Sequence, residues 1–238
     1  MKALVILLTL ITLSYAESLY IAVASSMRPM VEELVLLFES KNPDVNVKVS
    51  YGSSGSIYRQ ILGGAPYEVF LSASELYTTK LYEAKKSGKP FTFALGRMAV
   101  FSTKLKVKGL ETLKEANRVA IASPKHAPYG ISAIEFLKNA NLYEEVKTKL
   151  VYGSNVAQAF QFVVSGGADA GIVAYSLVKS YGEGSFWLVP SSMHNPIKHS
   201  AVVTFKGLKN RYALMFMGFL ASKEAREVVR AHGFEVPR

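Results

Sequence analysis

Along this chain, short apolar runs alternate with stretches in which apolar residues recur at helical spacing. Leu19-Tyr20-Ile21-Ala22-Val23-Ala24 reads as a buried strand closed by Ser25-Ser26, and Met30, Val31, Leu34, Val35, Leu37 and Phe38 then mark one face of a helix. Pro29 is tolerated there because it falls in the first helical turn. Asn42-Pro43-Asp44 breaks the chain. An alternating strand from Val45 to Tyr51 follows, meeting Gly52-Ser53-Ser54-Gly55-Ser56 and a helix that carries Ile57, Ile61 and Leu62 on one face. Gly63-Gly64 ends that helix, Glu68 to Ala73 reads as another buried strand, and Glu75 to Lys86 as another helix stopping at Gly88-Lys89-Pro90. Strands alternating with helices predict a parallel sheet with right-handed crossovers. Phe91 to Ser102 reads extended and Leu105 to Gly109 as a basic loop.

The pattern repeats in the second half. Arg118 to Ala122 reads as a strand ending at Ser123-Pro124; Ala127-Pro128-Tyr129-Gly130 then leads to a helix from Ile131 to Asn139 with Ile134 and Leu137 inward. Pro128 fixes φ, and Gly130 is expected to let backbone come close to a ligand. Leu150-Val151-Tyr152 and Gly153-Ser154-Asn155 precede a helix from Val156 to Ser165, with Asn155 as its N-cap. Gly166-Gly167 ends it, Ala170 to Ala174 is an apolar strand followed by Tyr175-Ser176, and Trp187-Leu188-Val189 is the last strand of this half. Pro196 to Thr204 runs extended, and two helices, Asn210 to Leu220 and Lys223 to Arg230, close the chain.

This order predicts an α/β protein of two domains. The first comprises 17–95 plus 198–238, the second 96–197, with the chain crossing near Ala94 to Arg97 and Pro196 to Ala201. Four of the predicted helices, two in each domain, follow strand C-termini through Ser- or Gly-rich turns. In open α/β sheets ligands bind outside the carboxyl ends of the strands, so all four should face one cleft. The first N–H groups of a helix lack intrahelical partners and sit at the positive end of its dipole; the hydroxyls of Ser53, Ser54 and Ser56 add donors. That combination suits an oxyanion. The plainer account is that Ser53 or Ser54 is only an N-cap.

Composition narrows the class. Residues 1–16 read as a secretory signal, with Lys2, an apolar run from Ala3 to Leu13, and small residues at Ser14 and Ala16. Cleavage near Ala16 would start the mature chain at Glu17 and make the product an exported, soluble protein, periplasmic in a Gram-negative cell. The chain has no cysteine, hence no lipid-attachment site and no disulfide framework. Its formal charge is +10, but the lysines are scattered without aromatic interleaving, which argues against nucleic acid and for a mild attraction of small anions.

Ala24-Ser25-Ser26-Met27, Gly52-Ser53-Ser54-Gly55, the run from Gly64 to Phe70, Ala127-Pro128-Tyr129-Gly130, Asn155-Val156 and Ala170-Gly171-Ile172-Val173 occur in one order across nearly all of the mature chain. In these stretches it resembles the periplasmic molybdate-binding proteins of ABC importers. The resemblance implies a type II periplasmic-binding-protein fold, with molybdate or tungstate held in the interdomain cleft and passed to a membrane permease by a monomeric receptor. It implies a hydroxyl and an N–H from Ser25 and Ser26, the Ser54 side chain, and the backbone N–H groups of Tyr129 and Val156 as ligand donors. No cofactor, free metal cation or catalytic residue is implied. Some members add a tyrosine directly after the Gly-Ile-Val run; this chain has Ala174 there and Tyr175 one place later, which leaves the part played by Tyr175 open.

Other classes fit less well. A serine hydrolase would want Gly-x-Ser-x-Gly, and Ser56 stands where the last Gly belongs. His126, His194, His199 and His232 read as surface or cap residues. Neither a nucleotide loop with Lys after the glycine nor a set of metal ligands is present in the sequence. A purely structural exported protein would show no anion-dependent stabilisation. The nearest rival is a receptor for sulfate or another tetrahedral anion. Because Tyr129 and Val156 are expected to offer backbone groups only, truncating either side chain is expected to leave affinity largely intact.

Overall fold

The structure is a computed structural model that describes residues 17–237; the expected signal, residues 1–16, lies outside them. β1 (Glu17–Ala24) enters a tight 3-10 turn at Ser25–Met27 and then α1 (Arg28–Lys41), which buries Met30, Val31, Leu34, Val35 and Phe38. β2 (Val45–Gly52) delivers α2 (Ser54–Leu62), and β3 (Val69–Ser72) delivers α3 (Glu75–Glu83). After β4 (Phe91–Gly96) the chain passes through Arg97 into β5 (Met98–Ser102) of a second sheet. There follow α4 (Glu111–Glu115), β6 (Val119–Ala122), α5 (Pro128–Asn139), α6 (Tyr143–Val146), β7 (Leu150–Gly153), α7 (Val156–Val164), β8 (Ala170–Ala174), α8 (Tyr175–Tyr181) and β9 (Ser185–Leu188). β10 (Ile197–Val203) returns to the first sheet, and α9 (Arg211–Leu220) and α10 (Lys223–Ala231) pack against the first lobe.

The two five-stranded sheets have the orders β2-β1-β3-β10-β4 and β7-β6-β8-β5-β9. The expected all-parallel pairing holds only for three strands of each. β1 pairs in parallel with β2 and β3, and β6 with β7 and β8; β10 and β5 lie antiparallel to their neighbours. These two are the strands that enter each sheet from the other one, so no crossover helix sets their direction. Their insertion ties the sheets together without disturbing the parallel triplets, whose carboxyl ends carry the strand-to-helix turns.

Several helices differ from the sequence reading, which contains neither of the short helices α4 and α6. α5 begins at Pro128, three residues before the expected start, because a proline near the first helical position lacks only an N–H that would be unpaired anyway. Its buried face is therefore Ala133, Phe136 and Leu137; Ile134 is half-buried and Ile131 is exposed. α8 is absent from that reading, since its seven residues, ended by the left-handed C-cap at Gly182, are too few to show helical periodicity.

Candidate functional site

The turns after β1, β2, β6 and β7 converge between the lobes on a small space, whose lining includes Ser25, Ser26, Ser54, Tyr129 and Val156. All five expected residues are thus brought together. None of the lining residues is charged. Tyr175 is not among them; its ring packs on Phe186 at 5.5 Å. The cavity, about 10 Å³, is far smaller than the ~300–1,000 Å³ typical of pockets for organic ligands.

Helices α2 and α7 meet this space in the same way. At α2 the N–H of Ser56 donates to the Ser53 side chain, the N–H of Gly55 donates across the cleft to the His126 carbonyl at 2.9 Å, and the N–H of Ser54 takes no protein acceptor among the described residues. At α7 the N–H of Gln158 donates to Asn155 Oδ1 at 3.0 Å, that of Ala157 donates across the cleft to Ser25 Oγ at 3.3 Å, and that of Val156 is likewise left over. In each helix the third N–H is capped locally, the second binds the opposite lobe, and the first is free beside the cavity. The two lobes therefore clasp each other through backbone donors, and Ser176 adds a third link by donating its hydroxyl to the Ser26 carbonyl at 2.6 Å. The structure is a closed form.

The hydroxyls divide by what they have already bonded. Ser54 Oγ accepts the Ala73 N–H at 2.9 Å and Ser25 Oγ accepts the Ala157 N–H, so each keeps its own proton for a further acceptor. Ser53 is the N-cap of α2 and donates its proton to Ser56 Oγ at 2.8 Å. The plain capping account is right for Ser53 and wrong for Ser54. Ser26 Oγ lies 3.2 Å from His199 Nε2, while His199 Nδ1 lies 3.1 Å from the Ile197 carbonyl. A carbonyl can only accept, so Nδ1 carries the ring proton and Nε2 takes the proton of Ser26. Ser26 thus keeps only its N–H for the cavity.

His199 corrects the reading of the histidines as surface or cap groups: it is fully buried, and His194 is nearly so. Burial lowers the His199 pKa to about 4, partly opposed by its bond to the Ile197 carbonyl. The run Ile197-Lys198-His199-Ser200 gave no signal of this, because β10 lies between two other strands and is covered on both faces. Gly130 also does something other than expected. A Cβ there would stand 2.2 Å from the Ala122 carbonyl, so this glycine lets α5 start against the end of β6 and does not line the cavity.

A nucleophile is not assembled at Ser54. Its oxygen is bonded to the Ala73 N–H, and neither histidine that meets a serine hydroxyl meets Ser54: His199 is on Ser26 with its second nitrogen on a backbone carbonyl, and His232 lies 3.4 Å from Ser180 with its second nitrogen on Glu33, and neither histidine lines the cavity. Among the described residues no cluster of three or more His, Cys, Asp or Glu could hold a metal ion, and no helix is long and apolar enough to cross a membrane.

Known proteins repeat this architecture. The molybdate-binding protein ModA of Rhodobacter capsulatus is 38% identical over 218 residues, covering 90% of this chain and 86% of its own length. The protein of the same name from Azotobacter vinelandii is 37% identical over 228 residues, covering 92% and 90%. The solved structure of the Azotobacter vinelandii periplasmic molybdate-binding protein superposes with a TM-score of 0.87 at 30% identity, over 92% of this chain and all of that one. The sequence profile described as bacterial extracellular solute-binding protein matches residues 19–235, and the chain belongs to that family.

Proposed function

We propose that this chain is an exported receptor that captures molybdate, and with it tungstate, in the closed cleft and delivers it to the membrane permease of an ABC importer. The observation that carries this reading is the uncharged cavity beside which free proton donors from both lobes converge: the hydroxyls of Ser25 and Ser54 and the N–H groups of Ser26, Ser54, Tyr129 and Val156. A tetrahedral oxyanion offers four acceptor oxygens to such a shell. The lining has no carboxylate to accept a proton, so hydrogen phosphate would bury its own proton unpaired, at a cost of ~1–3 kcal/mol. Sulfate brings no such proton and is excluded only by its shorter bonds, which leave it loose in a ring of donors sized for molybdate or tungstate.

The receptor works as a monomer outside the cytoplasm once the signal is removed near Ala16, without cofactor and without catalysis. Its lobes are residues 17–95 plus 198–238 and residues 96–197, hinged where the two strands cross. The relatives named for molybdate support the ligand, and their family supports the export and the permease. Thermal unfolding with molybdate, tungstate, sulfate and phosphate tests the reading. A ligand that binds only the native state, at 1,000 times its Kd, stabilises by ~4 kcal/mol. Molybdate and tungstate are expected to raise the melting temperature plainly and sulfate at equal concentration to do little. Equal shifts with sulfate would overturn the size argument.

A further inference from the structure

Tyr129 has two ends that face different parts of the molecule. Its N–H belongs to the first turn of α5, beside the cavity, while its ring is 1% exposed and reaches residues of the first sheet. The ring stands edge-on to His199 of β10, with centroids 6.0 Å apart. Its hydroxyl reaches Gly96, the last residue of β4: a Cβ added to Gly96 would lie 2.3 Å from the Tyr129 oxygen and 2.5 Å from Cε1 of His199. Ser26, whose proton His199 holds, lies in the same place. A side chain of the second lobe therefore fills a socket at the edge of the first sheet, between β4 and β10, and the socket ends one residue before Arg97, where the chain crosses.

The fit carries a counterweight. The Tyr129 hydroxyl is buried without a hydrogen bond of proper length and angle, whereas water would satisfy it once the lobes part. Burial of the ring favours the closed form, and the unsatisfied hydroxyl limits how far. Because the N–H and the ring belong to one residue at the rigid start of a helix, the donor can reach the anion only as the ring enters its socket.

We propose that Tyr129 is a positioning residue that couples anion capture to lobe closure, its ring seating between Gly96, Ser26 and His199 as its N–H meets the ligand. This rests on the reading of the cavity as the anion site. It also replaces the expectation that truncating Tyr129 is harmless; that expectation stands only for Val156, whose side chain is not shown reaching the other lobe.

The test is the kinetics of molybdate and sulfate binding to the mature protein by stopped flow, with ligand-free melting as control. Tyr129→Ala keeps the N–H and is expected to raise the dissociation rate roughly tenfold or more with little change in association, since coupling free energies commonly amount to ~5–150-fold in affinity. Gly96→Ala, which fills the socket without touching the anion, is expected to cause a similar loss. Adding Tyr129→Phe to Gly96→Ala removes the nearer of the two groups that the new methyl meets, leaving His199 Cε1, and is expected to recover part of the affinity, roughly threefold or more, the signature of two groups in contact. A merely structural role would lower the ligand-free melting temperature and give no such recovery. Unchanged dissociation in both single variants, or a double variant no better than Gly96→Ala, would overturn the coupling alone. A wild type that binds neither anion would overturn the reading of the cavity, and the coupling with it.

Discussion

The first lobe brings serine hydroxyls to the cavity, at Ser25 and Ser54, each oriented by accepting a backbone N–H; the second brings backbone alone, the N–H groups of Tyr129 and Val156 at the starts of α5 and α7. The difference separates two ways of holding an anion. A hydroxyl can be removed by substitution and must be kept in one rotamer by a neighbour, as Ala73 does for Ser54. A helix N–H is fixed by the fold, needs no side chain, and survives almost any substitution but proline. With the cavity read as the anion site, what the first side adds to its N–H groups is written in residue identity, and what the second side adds is written in where the helices begin.

The largest effect that tests this contrast is expected at Ser54. Ser54→Ala removes a donor to a charged ligand and also strands the buried Ala73 N–H. The first loss amounts to ~1.5–3 kcal/mol, or roughly 10- to 150-fold in Kd, by calorimetry with molybdate; the second lowers the stability of free and bound protein alike. An effect below about threefold would mean that the Ser54 proton does not face the ligand.

On the second side the comparable variant is Val156→Pro, which deletes one N–H and nothing else of the donor set. Asn155 already has an extended backbone, φ −152° and ψ 174°, the conformation that a following proline requires. Position 156 is the first of α7, where proline is tolerated. A lost hydrogen bond to a charged group corresponds to ~1.5–3 kcal/mol, so affinity is expected to fall by at least about tenfold. Small-angle scattering reads the other half: the wild type is expected to contract on adding molybdate, and the proline variant to need far more of it. Full affinity in Val156→Pro would erase the distinction between the lobes.

How much of this was legible in the sequence follows the same division. The strand, serine turn and helix units stand out because apolar periodicity changes from a strand run to helical spacing across a few polar residues, and Ser25, Ser26, Ser54, Tyr129 and Val156 fall at those changes. What the turns bond to was not legible. The sequence leaves Ser53 and Ser54 equivalent, and only the three-dimensional placement of Ala73 and Ser56 makes one a cap and frees the proton of the other. Pro128 reads as part of the turn before the helix but is the start of α5. The antiparallel strands β5 and β10 were hidden because an extended run does not state its direction, and the burial of His199 and Tyr129 against each other depends on residues 70 positions apart.

His199 offers a test of the inter-lobe socket through stability. Its folded pKa, about 4, lies below the ordinary 6.5, so between those values the unfolded chain binds the extra proton and the folded one does not. Stability is therefore lost as pH falls through that window, by up to ~1.4 kcal/mol per pH unit. Denaturant unfolding at pH 7 and pH 5 is expected to show a deficit at pH 5 that shrinks in His199→Gln, whose side chain does not charge. Equal pH dependence in both proteins would place the histidine in water.

The smallest effects are expected at the two serines that flank Ser54 without sharing its role. Ser53 borders the cavity, but it accepts the Ser56 N–H and gives its proton to Ser56 Oγ. Ser53→Ala removes the N-cap of α2 and is expected to lower ligand-free stability by ~1 kcal/mol while changing molybdate affinity by less than about threefold. Ser56→Ala takes away only the acceptor of that proton, in a half-buried position that Arg59 also reaches, and should cost less still. It also frees the Ser53 hydroxyl to turn toward the cavity, so any change in affinity should be a slight gain. If Ser56→Ala weakened binding more than Ser54→Ala, the register of the turn would be wrong by two residues. The hydroxyl side of the comparison would then have to be rebuilt around Ser56, while the backbone side at Tyr129 and Val156 stood unchanged.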